Sequence, residues 1–372
     1  MLFLGLALLV SALGLSLVGT HLARRWAGRM GMMDPPGARK VHAAPTPRNG
    51  GIAIFWSLAL PLLVGLFAAN WLTQGPLAAW LPAGTPAYVP GVIAHRPLAL
   101  LLLICTLGIH LLGLRDDRRP LSAGGKLFGQ LLMAVALVAG GEWIQPGGFR
   151  IMTFLDHLVP GGVWLSGAAS VLWIVLLTNA FNFMDNMDGL SAGVAGICAA
   201  MFFLAALLTH QWFICGLLLL YLGAVGGFLA YNFPPASIFM GDGGSMVLGF
   251  FLAALTIRTT YYSGNGRWYD LFVPLVVTAV PIYDLLVVSW VRLRRGRSPM
   301  VGDTNHFSHR LVRHGFSPRG AVLVIYAITL ACGLSAPLLA RVGTLGALLI
   351  AVQVLSILTV VGILERVGEH TR

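Results

Sequence analysis

The chain has 372 residues, of which 57% are hydrophobic and only 10% charged. A soluble globular domain carries roughly 25% charged residues, so the composition excludes a water-soluble fold. The formal net charge of +11 invites a nucleic-acid partner, but the basic residues are confined to particular loops, which positive-inside topology explains better. Apolar stretches recur from end to end, each about the 20 residues that cross ~30 Å of hydrocarbon as a helix. The expectation is an all-α integral membrane protein: one polytopic domain over residues 1–372, with its motifs between 34 and 319. It has no internal repeat and no separate soluble domain.

In chain order, spans are predicted at 2–22, 50–70, 97–114, 127–141, 166–183, 191–209, 212–231, 245–262, 270–291, 320–340 and 345–364, about eleven helices. Met1 to Val18 lacks a charged region ahead of its apolar run, so it reads as an uncleaved first span. The loops then alternate sides. One set, with the C-terminal tail, carries 19 of the 24 Lys and Arg residues, and the other carries Arg96, Arg150, Arg258, Arg267 and Arg341. Positive-inside bias puts the first set in the cytoplasm, the N-terminus outside and the C-terminus inside. Most acids share the basic side, which that rule does not predict. Only Glu142, Asp156 and Asp270 fall outside. Acids beside Lys, Arg and His at one membrane face point to a site for an anion and a divalent cation. The segment 142–165 reads as a small hairpin, and 74–97 as an interfacial segment. Cys105, Cys198, Cys215 and Cys332 lie inside spans with no C-x-x-C pair, as inert buried thiols.

Five loops on the basic side carry the polar chemistry. In the first, 34–51, four prolines exclude a helix. Lys40, His42 and Arg48 there are candidate contacts for a lipid phosphate or substrate, and the same loop also reads as a basic segment resting on anionic lipid. In the second, Asp116 and Asp117 end an apolar helix beside Arg and Lys126. Paired carboxylates there can hold Mg²⁺ or act as a base, or form an ordinary charged turn. In the third, Asn179, Asn182, Asp185 and Asp188 recur every three residues, which keeps them on one helical face. Four such groups at a membrane rim are costly unless something polar binds there. In the fourth, Asp242 stands among Gly241, Gly243 and Gly244. It is a candidate metal ligand, or an N-cap together with Ser245. In the fifth, His306, His309 and Arg310 suit diphosphate binding better than zinc, because no further pair completes a tetrahedral set. Asp284 stands where it could orient that loop.

In order, the pieces R-K-x-H-x-x-P-x-P-R-x-G-G (39–51), G-x-x-D-D…K-L (113–127), N-x-x-N-x-x-D-x-x-D-G-L (179–190), F-x-G-D-x-G-S-x-x-L-G (239–249) and H-x-x-H-R (306–310) resemble the polyprenyl-phosphate N-acetylhexosamine-1-phosphate transferases. The chain is most similar to the undecaprenyl-phosphate N-acetylglucosamine 1-phosphate transferase branch. The fifth motif departs from that branch, because Ser308 stands where a His is usual. The resemblance implies transfer of a sugar 1-phosphate from a UDP-sugar to undecaprenyl phosphate, with release of UMP, at the cytoplasmic face of a bacterial inner membrane. Such a step begins a lipid-linked cell-envelope polysaccharide. The implied cofactor is Mg²⁺, with Mn²⁺ as substitute; the implied partners are the two substrates and membrane lipid, with no nucleic acid, and a homodimer is the oligomer to test. It gives Asp116 and Asp117 the lipid phosphate and catalysis. Asp242 and Asn182 take the metal, and Asn179, Asp185 and Asp188 the nucleotide. Lys126, His306, His309 and Arg310 take the phosphates. The alternatives are the same chemistry with UDP-N-acetylgalactosamine or the phospho-muramoyl-pentapeptide donor, and, from another class, a multi-span transporter with charged groups near mid-span.

Overall fold

The structure, a computed structural model, describes residues 2–35, 45–74, 85–259, 268–298 and 305–367. Helix α1 (Leu2–Trp26) is followed by two-residue strands β1 (Met33–Asp34) and β2 (Thr46–Pro47), paired antiparallel. Then come α2 (Gly50–Gln74), α3 (Val89–Arg118), α4 (Ala123–Ile144), the single turn α5 (Leu155–Leu158), α6 (Gly162–Met184), α7 (Leu190–Leu208), α8 (Trp212–Asn232) and α9 (Asp242–Arg258). The remainder is α10 (Val273–Val277), α11 (Ala279–Arg294), the short α12 (Phe307–Arg313), α13 (Pro318–Gly333) and α14 (Thr344–Val367). The fold is thus all-α, as expected, apart from the small β1–β2 ladder that frames the first loop.

Among the described residues, nine helices are long and apolar enough to cross a membrane. Leucines and aromatics along α1, α2 and α14 stay exposed on the bundle surface, as lipid-facing residues do. This is a multi-pass membrane protein. Two of the eleven expected spans differ. The span expected at 245–262 is a 17-residue helix that starts three residues earlier, at Asp242. The span expected at 270–291 is broken at Thr278 into α10 and α11. Pro281 explains the break: it has no N–H for the carbonyl of Val277, one turn back. The Cys198 thiol donates to that carbonyl instead, at 3.3 Å.

Helix starts follow local chemistry. The Ser122 hydroxyl accepts from the Gly125 N–H at the head of α4, and the Ser317 hydroxyl accepts from the Gly320 N–H at the head of α13, where Pro318 fills the first helical position.

Helix α9 is the hub. Every residue from Gly243 to Thr256 is buried, wrapped by α2, α3, α6 and α7. Polar groups of its neighbours reach it at three depths. His110 of α3 pairs with the Gly243 carbonyl at 2.7 Å, Tyr221 of α8 donates to the Leu248 carbonyl at 3.1 Å, and Trp173 of α6 donates to the Thr256 hydroxyl at 2.8 Å. At Gly113 α3 passes so close to the head of α9 that a Cβ would lie 2.4 Å from the Asp242 carbonyl oxygen.

At the other end of α9, Arg258 donates to the Gly148 carbonyl. The expected hairpin over 142–165 is absent; α4 runs on to Ile144 and the chain folds into turns and α5. The physical reason is Arg150, which is buried and binds Glu142 through Nε at 2.7 Å and Asp156 through Nη2 at 2.6 Å, gathering the segment around one guanidinium. Of the segment 74–97, residues 75–84 lie outside the described residues, and a 3-10 turn at Thr85–Tyr88 leads into α3.

Gly113→Ala is expected to cost about 1–3 kcal/mol, the range for overpacking a filled contact, and to lower the melting temperature in detergent. Gly124→Ala, where a Cβ meets nothing within 4 Å, is expected to leave it unchanged or slightly higher.

Candidate active site

The head of α9 is where the motif loops meet. Backbone bonds join the first loop to the fourth: Phe239 N–H to Pro47, Gly50 N–H to Phe239 and Gly51 N–H to Met240. Gly241 then adopts φ +70°, a left-handed conformation that suits glycine and aims the next two amides at α3. Asp117, at the end of α3, receives both: its Oδ1 accepts from Asp242 N–H and its Oδ2 from Gly243 N–H, each at 2.9 Å. Arg48 Nε adds an ion pair to the same Oδ1 at 3.0 Å. The Asp117 side chain is only 1% exposed. It serves as a clamp on the N-terminus of α9, where an anion also meets the positive end of the helix dipole.

Asp116 points the other way. Its Oδ1 caps the Leu121 N–H at 2.6 Å, and its Oδ2 lies 3.3 Å from Lys126 Nζ. Lys126 Nζ also donates to Asp242 Oδ2 and, at 3.1 Å, to Asn182 Oδ1. One ammonium group is therefore ringed by three oxygens from α3, α6 and α9. Asn182 Nδ2 in turn donates to Asp242 Oδ1 at 2.9 Å and to the Ser245 hydroxyl at 2.8 Å, so its amide orientation is fixed. Asp242 is the first residue of α9 and Gly241 the cap, so neither Asp242 nor Ser245 caps the helix with its side chain. Oxygen donors converging on a point that already holds a positive charge are the set a hard divalent cation such as Mg²⁺ takes. The residues present fit that ion, although no group of three His, Cys, Asp or Glu side chains stands in ligand geometry among the described residues.

Asp185 follows α6 and is half-buried. Burial first, and then the negative charge of Asp242, push its carboxyl up to about 7 against the pull of Arg48. Around Arg48 the balance runs the other way. Burial opposes its charge, and the carboxylates of Asp117 and Asp242 outweigh that and raise its pKa above the usual value.

The remaining expected residues stand around this cluster. Asp188 Oδ2 accepts from Ala236 N–H at 2.9 Å, binding the third loop to the fourth. Asn179 turns toward α4, where its amide donates to Gln130 at 2.6 Å. His306 is buried, with Nδ1 on Asp284 at 2.9 Å and Nε2 facing Arg292 at 3.2 Å. Asp284 Oδ1 also accepts from Phe307 N–H at 2.7 Å, so it orients the fifth loop as the sequence indicated. The His309 ring lies 6.5 Å from that of His306, and Arg310 is buried on α12. Of α12 it is Ser308 that bonds to the turn at 183–188, through Asn186. Arg48 is in the cluster, whereas Lys40 and His42 lie outside the described residues. The sequence reading did not single out Gln130, Asn232, Arg292 or Tyr326. A lone Gln inside an apolar span was a usable signal for the first of these.

The sequence matches relatives over nearly its whole length. A probable undecaprenyl-phosphate N-acetylglucosaminyl 1-phosphate transferase of Bacillus subtilis is 33% identical over 89% of this chain and 83% of its own. The model of glycosyl transferase family 4 matches residues 99–260. The chain belongs to glycosyl transferase family 4. A decaprenyl-phosphate N-acetylglucosaminephosphotransferase of Mycobacterium tuberculosis is 36% identical over 82% of this chain and 75% of its own. A phospho-N-acetylmuramoyl-pentapeptide-transferase of Desulforudis audaxviator is 29% identical over 88% and 93%. These place the chain on the N-acetylglucosaminyl 1-phosphate transferase side of glycosyl transferase family 4, as the motifs indicated. The family match covers Lys126 and the three groups that ring its ammonium, Asp116, Asn182 and Asp242, as well as Asp117.

Because the folded protein holds the Asp185 carboxyl up to about 7, above an unfolded value of about 3.9, ionising it weakens the fold. The penalty is absent below pH ~4, grows as pH rises, and is complete above ~7. Asp185→Asn is therefore expected to raise the melting temperature at pH 8, to leave it unchanged at pH 4, and to reduce turnover. Thermal scans of the ligand-free protein at the two pH values check this.

Proposed function

We propose that the protein transfers N-acetylglucosamine 1-phosphate from its UDP-sugar to a polyprenyl phosphate such as undecaprenyl phosphate, releasing UMP. The observation that carries this reading is the ring of Asp116, Asn182 and Asp242 oxygens around Lys126 at one end of a membrane bundle. That is where a water-soluble diphosphate and a lipid phosphate can meet. The names of the relatives supply the donor and the acceptor class. Bacterial relatives and the basic loops support a cytoplasmic membrane with the site on its inner face.

In this reaction an oxygen of the lipid phosphate attacks the β-phosphorus of the UDP-sugar. The bond from that phosphorus to the bridging oxygen breaks, and UMP leaves with the electron pair. The transition state spreads negative charge over phosphoryl oxygens, so catalysis is mainly positioning and charge neutralisation. Lys126 supplies a positive charge at the site, and Arg48 stands beside it within ion-pair distance of Asp117. Asp242, Asn182 and Asp116 would hold Mg²⁺, which would supply positive charge to neutralise the leaving group. Asp117 has both oxygens occupied by backbone amides, so its part is to hold Asp242 in place. Asp116 has an oxygen turned to the Lys126 ammonium and is the carboxylate placed to orient or deprotonate the lipid phosphate.

A transporter would need charged groups along its spans. Here the acids Asp116, Asp117, Asp185, Asp188 and Asp242 gather at one end, which favours the enzyme. A second donor, the phospho-muramoyl-pentapeptide nucleotide, is kept because a relative bearing that name aligns over most of both chains.

The test is UMP release by detergent-purified protein given UDP-N-acetylglucosamine, undecaprenyl phosphate and Mg²⁺. Release should require all three and stop on chelation. Asp242→Asn and Asp116→Asn should each lower kcat by about 10²–10³, the scale of losing one preorganised electrostatic contact. Release only with another UDP-sugar would change the donor. Release without lipid phosphate would overturn the transferase.

A further inference from the structure

The turn that carries Asp185 is fixed from a distance by α12, through one hydrogen bond. Asn186 closes the turn on itself, its Nδ2 donating to the Phe183 carbonyl at 2.7 Å. Its Oδ1 accepts from the Ser308 hydroxyl at 2.5 Å. Ser308 is 1% exposed, so this hydroxyl has no bulk water to turn to. The Phe183 ring is covered by the Arg292 guanidinium, 5.2 Å from its centroid, and by the His306 ring edge-on at 6.0 Å. Asp284 of α11 sets the His306 ring by gripping its Nδ1 and the Phe307 amide, and Arg292 faces the other nitrogen of that ring. The far side of the turn has separate supports. Gly189 N–H donates to Asn232 at 3.0 Å and its carbonyl accepts from the Tyr326 hydroxyl at 2.5 Å. At the Asp185 end the support from the fifth loop comes through Asn186 and Phe183.

We propose that Ser308 is a positioning residue for the UDP-sugar: through Asn186 it sets the direction of Asp185 and so the affinity for the nucleotide end of the donor, leaving the phosphoryl step alone. This rests on the transferase reading above. The pair also gives a physical sense to the departure at Ser308 in the fifth motif. A short hydroxyl fits the sealed space against Asn186, whereas the His usual there carries a ring. The amide and the hydroxyl complete each other and are best understood as one unit.

Ser308→Ala is expected to raise KM for the UDP-sugar about five-fold, the net worth of one hydrogen bond, with kcat and the KM for polyprenyl phosphate unchanged. Ser308→Thr should restore it. Asn186→Ala, which also removes the bond to the Phe183 carbonyl, should raise KM at least as much as Ser308→Ala, and adding Ser308→Ala to it should cost nothing more, as one shared bond requires. Hydrogen exchange of the amides at 185–188 supplies a readout independent of turnover. Exchange should quicken in Ser308→Ala and return in Ser308→Thr. A loss of kcat at constant KM would mark Ser308 as merely structural and overturn the proposal. So would unchanged exchange, whatever the activity. A wild-type chain that turns over no UDP-sugar would sink the transferase reading itself and would be seen in the wild-type arm.

Discussion

The carboxylates of Asp116 and Asp242 repel each other in a small, partly buried space, and the cation set between them relieves that repulsion; the rest of the architecture is built around this contact. In the ligand-free chain the cation is the Lys126 ammonium, with the Asn182 amide oxygen as third partner. Removing one partner of such a group leaves charge uncompensated in a medium that solvates it poorly, which costs far more than an exposed ion pair is worth. On the proposed function, the same concentration of negative charge would hold a divalent ion and, through it, phosphates.

Building this cluster requires backbone as well as side chains. Asp117 spends its carboxylate on two amides of α9, and that grip is possible only because Gly113 lets α3 approach within contact of the Asp242 carbonyl. The Gly50 and Gly51 amides stitch the first loop to the 239–240 strand-like segment, which brings Arg48 alongside. Helix α9 itself has almost no freedom, since it is buried along nearly its full length. Four of the motifs, far apart in sequence, therefore meet at the head of one helix, and the fifth is tied to them through Ser308 and Asn186.

The sequence made most of this legible, for physical reasons. Apolar run lengths marked the bundle, and the ends of those runs placed Asp116, Asp117 and Asp242 at a membrane face. The three-residue spacing of Asn182 and Asp185 put them on one rim. What it concealed was the division of labour between neighbours. Asp116 and Asp117 are chemically identical in a string of letters, and only the crossing of α3 with α9 shows that one is a clamp and the other faces Lys126. His306 looked like a phosphate ligand by type. Its nitrogens face Asp284 and Arg292, 22 and 14 residues back in the chain, a pairing that no local pattern announces. The break at Thr278 was readable in principle from Pro281, but an apolar run masks a missing amide. The Arg150 knot was hidden because an arginine between spans is usually solvated.

The oxygens around Lys126 are proposed to form a divalent-cation site. Electron paramagnetic resonance of Mn²⁺ titrated into the purified protein, with UDP present, tests it without reference to turnover. One saturable site is expected in the wild type, lost in Asp242→Asn and retained in Asp284→Asn. Mn²⁺ binding that persists unchanged in Asp242→Asn would contradict it.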